Sequence, residues 1–199
     1  MKLFYSPSSP YVRKVMVCAI LRGLDGQIET VPTNPHQSPP ALLGANPLSK
    51  VPCLVSDDGT ALFDSPVICE YLDSLGSAPP LFPAAGPARW RALVLQAIGD
   101  GILDAAVGRR MEQGRPQEAA RDAAMARMRG AANRALDSLE AALPGDGLDI
   151  GTITVACALG YLDFRFGAEP WRDGRPGLAA WFKRMEALPA IARTAPPPA

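Results

Sequence analysis

Three short stretches hold the side chains best placed to do chemistry. The first is Ser6-Pro7-Ser8-Ser9-Pro10-Tyr11-Val12-Arg13-Lys14-Val15. Pro10 fits the first turn of a helix, which puts Ser9 near its N-cap. A hydroxyl beside unpaired backbone N–H groups at a helix start favours an anion. Simple capping accounts for the same residues, and Ser6 and Ser8 add further hydroxyls. The second stretch is Asn46-Pro47-Leu48-Ser49-Lys50-Val51-Pro52-Cys53-Leu54. Pro52 opens a segment that reads as a strand, which proline tolerates if its bond is cis or if the strand begins there. A cis bond would turn the N–H and C=O of Val51 sideways, ready to pair with a peptide-like ligand; a rigid turn is the other reading. The third is Phe63-Asp64-Ser65-Pro66-Val67-Ile68. Ser65 reads as an N-cap with Pro66 at the first helical position. Its hydroxyl and backbone N–H could hold a ligand carboxylate, and Asp64 beside it an ammonium. Ordinary capping is again the alternative.

What the chain lacks narrows the chemistry further. Among 199 residues there is one histidine, His36. That excludes centres built on two or more histidines, such as HExxH zinc sites. A Ser-His-Asp triad would have to use His36, and no nucleophile elbow accompanies it. Cys18, Cys53, Cys69 and Cys157 are scattered, without CxxC spacing, so neither a zinc knuckle nor a redox dithiol is indicated. No metal is expected. Twenty Lys and Arg balance twenty Asp and Glu, which speaks against a nucleic-acid binder or a polybasic membrane protein. The opening MKLFYSPSSPYVRKV has too short an apolar stretch for a secretory leader, and no run approaches a membrane span. The expectation is a cytoplasmic protein with reduced, mostly buried thiols. If the chain is an enzyme, its reactivity must come from something other than the usual acid–base side chains.

The elements that would position these stretches change character midway. Lys2–Tyr5 reads as a strand. Val12, Val15, Met16, Ala19 and Ile20 follow at helical spacing, with Gly23 as the stop. Residues 27–31 read as a second strand and 32–40 as loop. Residues 52–56 and 60–63 form a hairpin about Asp57-Asp58-Gly59, and 66–75 a helix. The order β-α-β, loop, β-β-α is a small α/β domain over 1–75. The segment 76–86, rich in Pro and small residues, reads as a linker. From 87 to 199 strand signals vanish. A helix runs from Trp90 beyond Val107, a second spans 117–143, and a strongly apolar one spans 150–166, as expected of a buried central helix. Another holds Leu178, Trp181, Phe182 and Met185. Pro196-Pro197-Pro198 reads as a frayed tail.

These motifs, in this order and followed by a helical half, resemble the cytosolic glutathione S-transferases over nearly the whole chain. Bacterial members whose first strand leads into SPxSPYVRKV are the most similar. The resemblance rests on SPSSPYVRKV at 6–15, NPLSKVPCL at 46–54, FDSPVICEYLD at 63–73, ALGYLDFRF at 158–166 and PGLAAWFKRMEALPAI at 176–191. It implies a thioredoxin-like N-terminal domain that binds glutathione, followed by an all-α domain. It implies that Val51, before a cis-Pro52, pairs with the cysteinyl unit of the tripeptide, and that Asp64 and Ser65 sit at its γ-glutamyl end. Most relatives carry Glu where this chain has the shorter Asp64. Lys50 and His36 are implied for the glycyl carboxylate, although a solvated loop histidine reads equally well at 36. Ser9-Pro10-Tyr11-Val12 stands where glutaredoxin-like relatives have Cys-Pro-Tyr-Cys. Serine cannot form a mixed disulfide, but its hydroxyl can donate to the thiolate of bound glutathione, with Ser8 and Ser6 as nearby substitutes. Tyr5 reads as structural.

The resemblance therefore implies a glutathione transferase with Ser9 as its catalytic residue. Its co-substrate would be glutathione, and its second substrate a small hydrophobic electrophile. Reduction of organic hydroperoxides would also be open to it, in a detoxifying role. No tightly bound cofactor is implied, and a homodimer is. Asp100, Leu103, Asp104, Val107 and Arg110 are possible contacts for the electrophile. Relatives open the buried helix with Ser or Thr and place Asp three residues on. Here Asp149 and Thr152 have the types exchanged, which predicts a retained helix with a weaker cap. The alternative reading is a noncatalytic glutathione- or ligand-binding protein of the same fold.

Overall fold

A computed structural model describes residues 1–197. The chain opens with β1 (Lys2–Tyr5), then α1 (Pro10–Leu21) and β2 (Glu29–Pro32). After α2 (Pro40–Ala45) come β3 (Cys53–Val55), β4 (Ala61–Leu62) and α3 (Ser65–Leu75). The sheet order is β2-β1-β3-β4, with β1 parallel to β2 and antiparallel to β3, and β3 antiparallel to β4. A parallel pair needs a crossover between its strands, and α1 supplies it. Leu3 and Leu54 face each other across the β1–β3 pair and are fully buried. This is a thioredoxin-like arrangement, and helices α4 (Gly86–Glu112), α5 (Ala119–Ala141), α6 (Ile150–Phe166), α7 (Pro176–Glu186) and α8 (Pro189–Arg193) follow it.

The α1 helix forms because its apolar residues recur on one face. Val12, Val15, Cys18 and Ala19 are buried. Gly23, at φ +71°, closes its C-terminus: its N–H donates to the carbonyl of Ile20 at 3.1 Å and that of Leu24 to Ala19 at 2.8 Å. This left-handed closure favours glycine. The α6 helix is central: thirteen of its seventeen residues are buried. Helix α4 lies close along it because Gly151 offers no side chain; a Cβ there would stand 2.5 Å from the carbonyl oxygen of Ala92.

Several expected elements move. The second strand begins at Glu29 rather than Gln27, since Asp25–Gln27 coil into a 3-10 turn. The 32–40 loop holds another such turn at Pro35–Gln37, and α2 starts at its end. Helix α4 starts at Gly86, with Pro87 in its first turn. The N-cap of α3 is Asp64, not Ser65, which is already helical. The α6 cap is a complete capping box. The N–H of Asp149 donates to Oγ1 of Thr152 at 3.0 Å, and the N–H of Thr152 to Oδ1 of Asp149 at 2.9 Å. Threonine does reach back. The expected proline tail extends to Pro198, outside the described residues; 195–197 carry no helix or strand.

The segment between α3 and α4 is irregular but anchored. Leu81 and Phe82 are buried, and their N–H groups donate to the carboxylate of Asp73 at 2.8 and 3.1 Å. Nε of Arg22 stands 3.1 Å from the same carboxylate. The N–H of Ile150 donates to the carbonyl of Leu81 at 2.9 Å. One acid thus ties together the end of α1, the end of α3 and the connection to the helical half.

Candidate active site

Beyond β1 the chain turns through Ser6 to Ser9, closed by a bond from the N–H of Ser9 to the carbonyl of Ser6 at 3.1 Å. Ser9 caps α1: its Oγ accepts from the N–H of Val12 at 3.3 Å. The cap uses a lone pair and leaves the hydroxyl proton able to donate. Pro10 has no N–H, so the N–H of Tyr11 is the first unsatisfied helical donor. The hydroxyls of Ser6 and Ser8 lie 3.5 Å apart.

Two further segments converge on this helix start. Asn46 is buried and sets the 46–50 turn: its Nδ2 donates to the carbonyl of Lys50 at 2.9 Å and its Oδ1 accepts from the N–H of Leu48 at 3.0 Å. That turn delivers Lys50 and Val51 ahead of β3. The Val51–Pro52 bond is cis, and so is Phe63–Asp64. Asp64 is exposed, whereas Ser65 is only 2% exposed, and its hydroxyl bonds no group among the described residues.

Between these segments and the helical half lies a cavity of about 1190 Å³. Ser9, His36, Lys50, Val51, Pro52, Asp64 and Ser65 all line it. His36 is exposed on its rim, its N–H bonded to Oδ1 of Asn34 at 3.1 Å. Of the possible electrophile contacts, Asp104, Val107 and Arg110 reach the cavity. Asp100 and Leu103 do not. Asp100 pairs with the fully buried Lys14, at 2.7 and 2.9 Å, and Leu103 is core. Tyr5 is absent from the lining and packs against the core.

The cavity lining also carries groups that sequence reasoning missed. Tyr11 donates its hydroxyl proton to Asp104. Burial, then this bond, raises the Tyr11 hydroxyl beyond the usual phenol range. Burial raises the Asp100 carboxyl too, opposed by Lys14. Tyr161 and Arg165 of α6 face the same space with Met111 of α4. Burial raises the Tyr161 hydroxyl, while the charges of Arg165 and Arg110 pull it down. The available signal was polar residues four apart on an otherwise apolar helix, which places both on one face. Among the described residues, no three His, Cys, Asp or Glu side chains gather as a metal centre would need.

A cavity between a thioredoxin-like sheet domain and a helical bundle, walled by helix starts on one side, defines a class of protein. The family models "Glutathione S-transferase, N-terminal domain" and "Glutathione S-transferase, C-terminal domain" match residues 8–75 and 122–184. The GST-like protein YibF of Escherichia coli (strain K12) is 36% identical over 204 residues, covering 100% of both chains. A crystal structure of a glutathione transferase family member from Pseudomonas fluorescens Pf-5, with bound glutathione, is 42% identical. It superposes with a TM-score of 0.93 over 98% of each chain. A structure of a family member from the same strain, with bound S-(propanoic acid)-glutathione, is 41% identical with a TM-score of 0.88, over 99% of this chain and 100% of that one. The chain belongs to the glutathione S-transferase family.

Proposed function

We propose that this protein is a glutathione transferase that binds the tripeptide in the 1190 Å³ cavity and holds its sulfur beside Ser9. The observation that carries the reading is convergence: the start of α1 at Ser9, the backbone of Val51 and Ser65, whose hydroxyl has no hydrogen-bond partner among the described residues, line one space. The Pf-5 structures, one holding glutathione and one a glutathione conjugate, support the same ligand here. In this reading Val51 pairs with the cysteinyl backbone, next to Pro52. Asp64 meets the γ-glutamyl ammonium, and Ser65 with the start of α3 meets its carboxylate. Lys50, with His36 at the rim, meets the glycyl carboxylate. Residues 1–75 form the glutathione domain, 76–86 the linker and 87–199 the helical domain.

The chemistry then needs one pKa lowered. A free thiol titrates near ~8.5, so a small fraction is thiolate at neutral pH. Lowering that by about two units makes most of it thiolate and corresponds to roughly 2.7 kcal/mol. The hydroxyl of Ser9 donates to the sulfur, and the N-terminus of α1 adds its partial positive charge. The thiolate attacks a small hydrophobic electrophile, or an organic hydroperoxide, against Val107, Met111 and Tyr161. No metal and no tightly bound cofactor enters this reading. A cytoplasmic homodimer completes it, in keeping with four buried, unpaired cysteines.

Titration calorimetry with glutathione tests the binding; no heat at millimolar ligand would sink it. Ultraviolet thiolate absorbance of bound glutathione tests the mechanism. Ser9→Ala is expected to raise the bound thiol by about one pH unit, the helix N-terminus keeping its share of the lowering. An unchanged value with Ser9→Ala, and a raised one with Ser8→Ala, would reassign the donor.

A further inference from the structure

Two tyrosines line the cavity, Tyr11 and Tyr161, and their hydroxyl protons are placed differently. Tyr11 donates to Asp104, whereas Tyr161 of α6 donates to no group among the described residues. The Tyr161 ring is held by the core. The residue is 6% exposed and meets Phe164 edge-on, with ring centroids 6.3 Å apart and planes at 66°. Its oxygen is not among the polar atoms sealed in the interior without a partner, so the hydroxyl is the end that opens to the cavity. A buried tyrosine ordinarily finds a partner for that group. Arg165 lies one turn along the same face of α6 and also lines the cavity. It cannot take the proton, because a guanidinium has donors only.

Packing sets Tyr161 close to Ser9. Helix α1 packs against α6, and a crevice of about 10 Å³ where they meet is lined by Ser8, Ser9, Cys157 and Tyr161. A space of that size holds no more than one water, so Tyr161 stands next to the turn that ends in Ser9. Both residues also line the large cavity, with the apolar side chains of Val107 and Met111. Burial keeps the Tyr161 proton on its oxygen through neutral pH. The site therefore holds two hydroxyls with protons to give, side by side. In the glutathione reading Ser9 spends its proton on the sulfur, and that of Tyr161 is left for the molecule the sulfur attacks.

We infer that Tyr161 is a second catalytic residue, donating its hydroxyl to the carbonyl oxygen of an apolar α,β-unsaturated ketone or aldehyde as the thiolate attacks. The inference rests on the glutathione reading. The sulfur bonds to the β-carbon, the carbon–carbon π bond breaks, and charge gathers on the carbonyl oxygen. A donor already in place stabilises that charge where it develops. The enolate then takes a proton from water at its α-carbon, and the proton given up by the glutathione thiol neutralises the hydroxide. The product is a thioether ketone or aldehyde, and Tyr161 keeps its proton throughout. An electrophile whose charge departs on a halide offers no such oxygen and gains little from the hydroxyl.

Two electrophiles that share a phenyl ring separate the possibilities: benzylideneacetone, an enone, and benzyl chloride. Both are given to the full chain with glutathione, as wild type and as Tyr161→Phe, which keeps the ring and removes the donor. The ratio of kcat for the enone to kcat for the chloride is expected to fall about a hundredfold in the variant. KM for the enone and the thiol pKa of bound glutathione should hardly move. If glutathione fails to bind, the proposed function falls and takes this inference with it. If glutathione binds and neither electrophile is turned over, the transferase reading falls in the same way. If the chloride is turned over and the ratio is unchanged by Tyr161→Phe, this inference alone is overturned. A raised thiol pKa with equal loss on both electrophiles overturns it too, assigning Tyr161 to the sulfur. Should the variant not fold, wild type decides. Its acceleration over free glutathione thiolate should be about a hundredfold greater for the enone than for the chloride, and equal acceleration overturns the inference.

Discussion

Ser9 and the four cysteines show how one local chemistry is exposed while another is hidden. The serine hydroxyl faces a cavity with its proton unspent. The thiols of Cys18, Cys53, Cys69 and Cys157 are all buried. Burial pushes the Cys53 and Cys157 thiols up to about 11, from an ordinary value of 9.0. The Cys18 thiol is raised as well, by its hydrogen bond to Cys69 and by burial. An acid whose folded pKa is raised keeps its proton longer in the folded state than in the unfolded one. Its stabilising contribution is therefore whole below pH 9 and is lost as pH rises toward 11. The thermal midpoint should fall across that window, at about 2–4 °C per kcal/mol. A Cys53→Ala, Cys157→Ala double variant should show a shallower fall. An identical slope in wild type and variant would mean the thiols do not contribute. At this scale the sequence was most legible where residue type and helix start coincide, at the Ser9 cap of α1. It was least legible at Asn46, whose importance lies in two hydrogen bonds across its own turn that no spacing announces. Tyr161 and Arg165 were hidden by their place in a core helix.

At the scale of elements, the α6 helix shows what a sequence comparison of types leaves out. Exchanging the usual cap residues suggested a weaker start, because threonine is shorter than an acid. Yet Thr152 has 1% exposure, and its Oγ1 accepts from the N–H of Asp149 at 3.0 Å. Thr152→Val keeps the shape and removes that acceptor. It should cost about 1–2 kcal/mol in denaturant unfolding, and Thr152→Ser should restore part of it. Wild-type stability in the valine variant would show that the box is idle. The long periodic elements, α1 and α6, were legible because burial on one face, or on all, leaves an unmistakable pattern. The turn at Pro35–Gln37 and α2 were not, since Pro-rich stretches carry no period, and the turn at Asp25–Gln27 is too short to show one. The N-cap of α3 moved by one residue to Asp64 because helix ends depend on backbone angles more than on residue preference.

At the scale of the whole molecule, three exposed apolar side chains on adjoining helices suggest how two copies meet. Trp90 is 65% and Val94 58% exposed on α4, and Val67 46% on α3. The two helices are bridged beside them by Arg89 and Glu70 at 2.8 Å. Apolar groups left open on adjoining elements mark an association surface. The proposed homodimer buries them, so light scattering should give twice the 21.0 kDa chain mass. Trp90→Glu should return the mass to one chain with the fold intact, because the side chain has little intramolecular packing to lose. A wild-type protein that scatters as a single chain would dispose of the dimer.

The pair formed by Lys14 and Asp100 bears on how such a protein can be altered. Lys14 sits on the helix that Ser9 caps, has no exposure, and finds its counter-charge at 2.7 Å on α4. Asp104, Val107 and Arg110 follow on that same α4 and line the cavity. The two halves are therefore not interchangeable modules. A chimera that grafts a different helical half onto this sheet must bring an acid to position 100. Without it, an ammonium would be stranded in the interior at a cost of about 3–5 kcal/mol. New substrate walls are better sought by changing residues one helical turn further along than by exchanging the half that carries them.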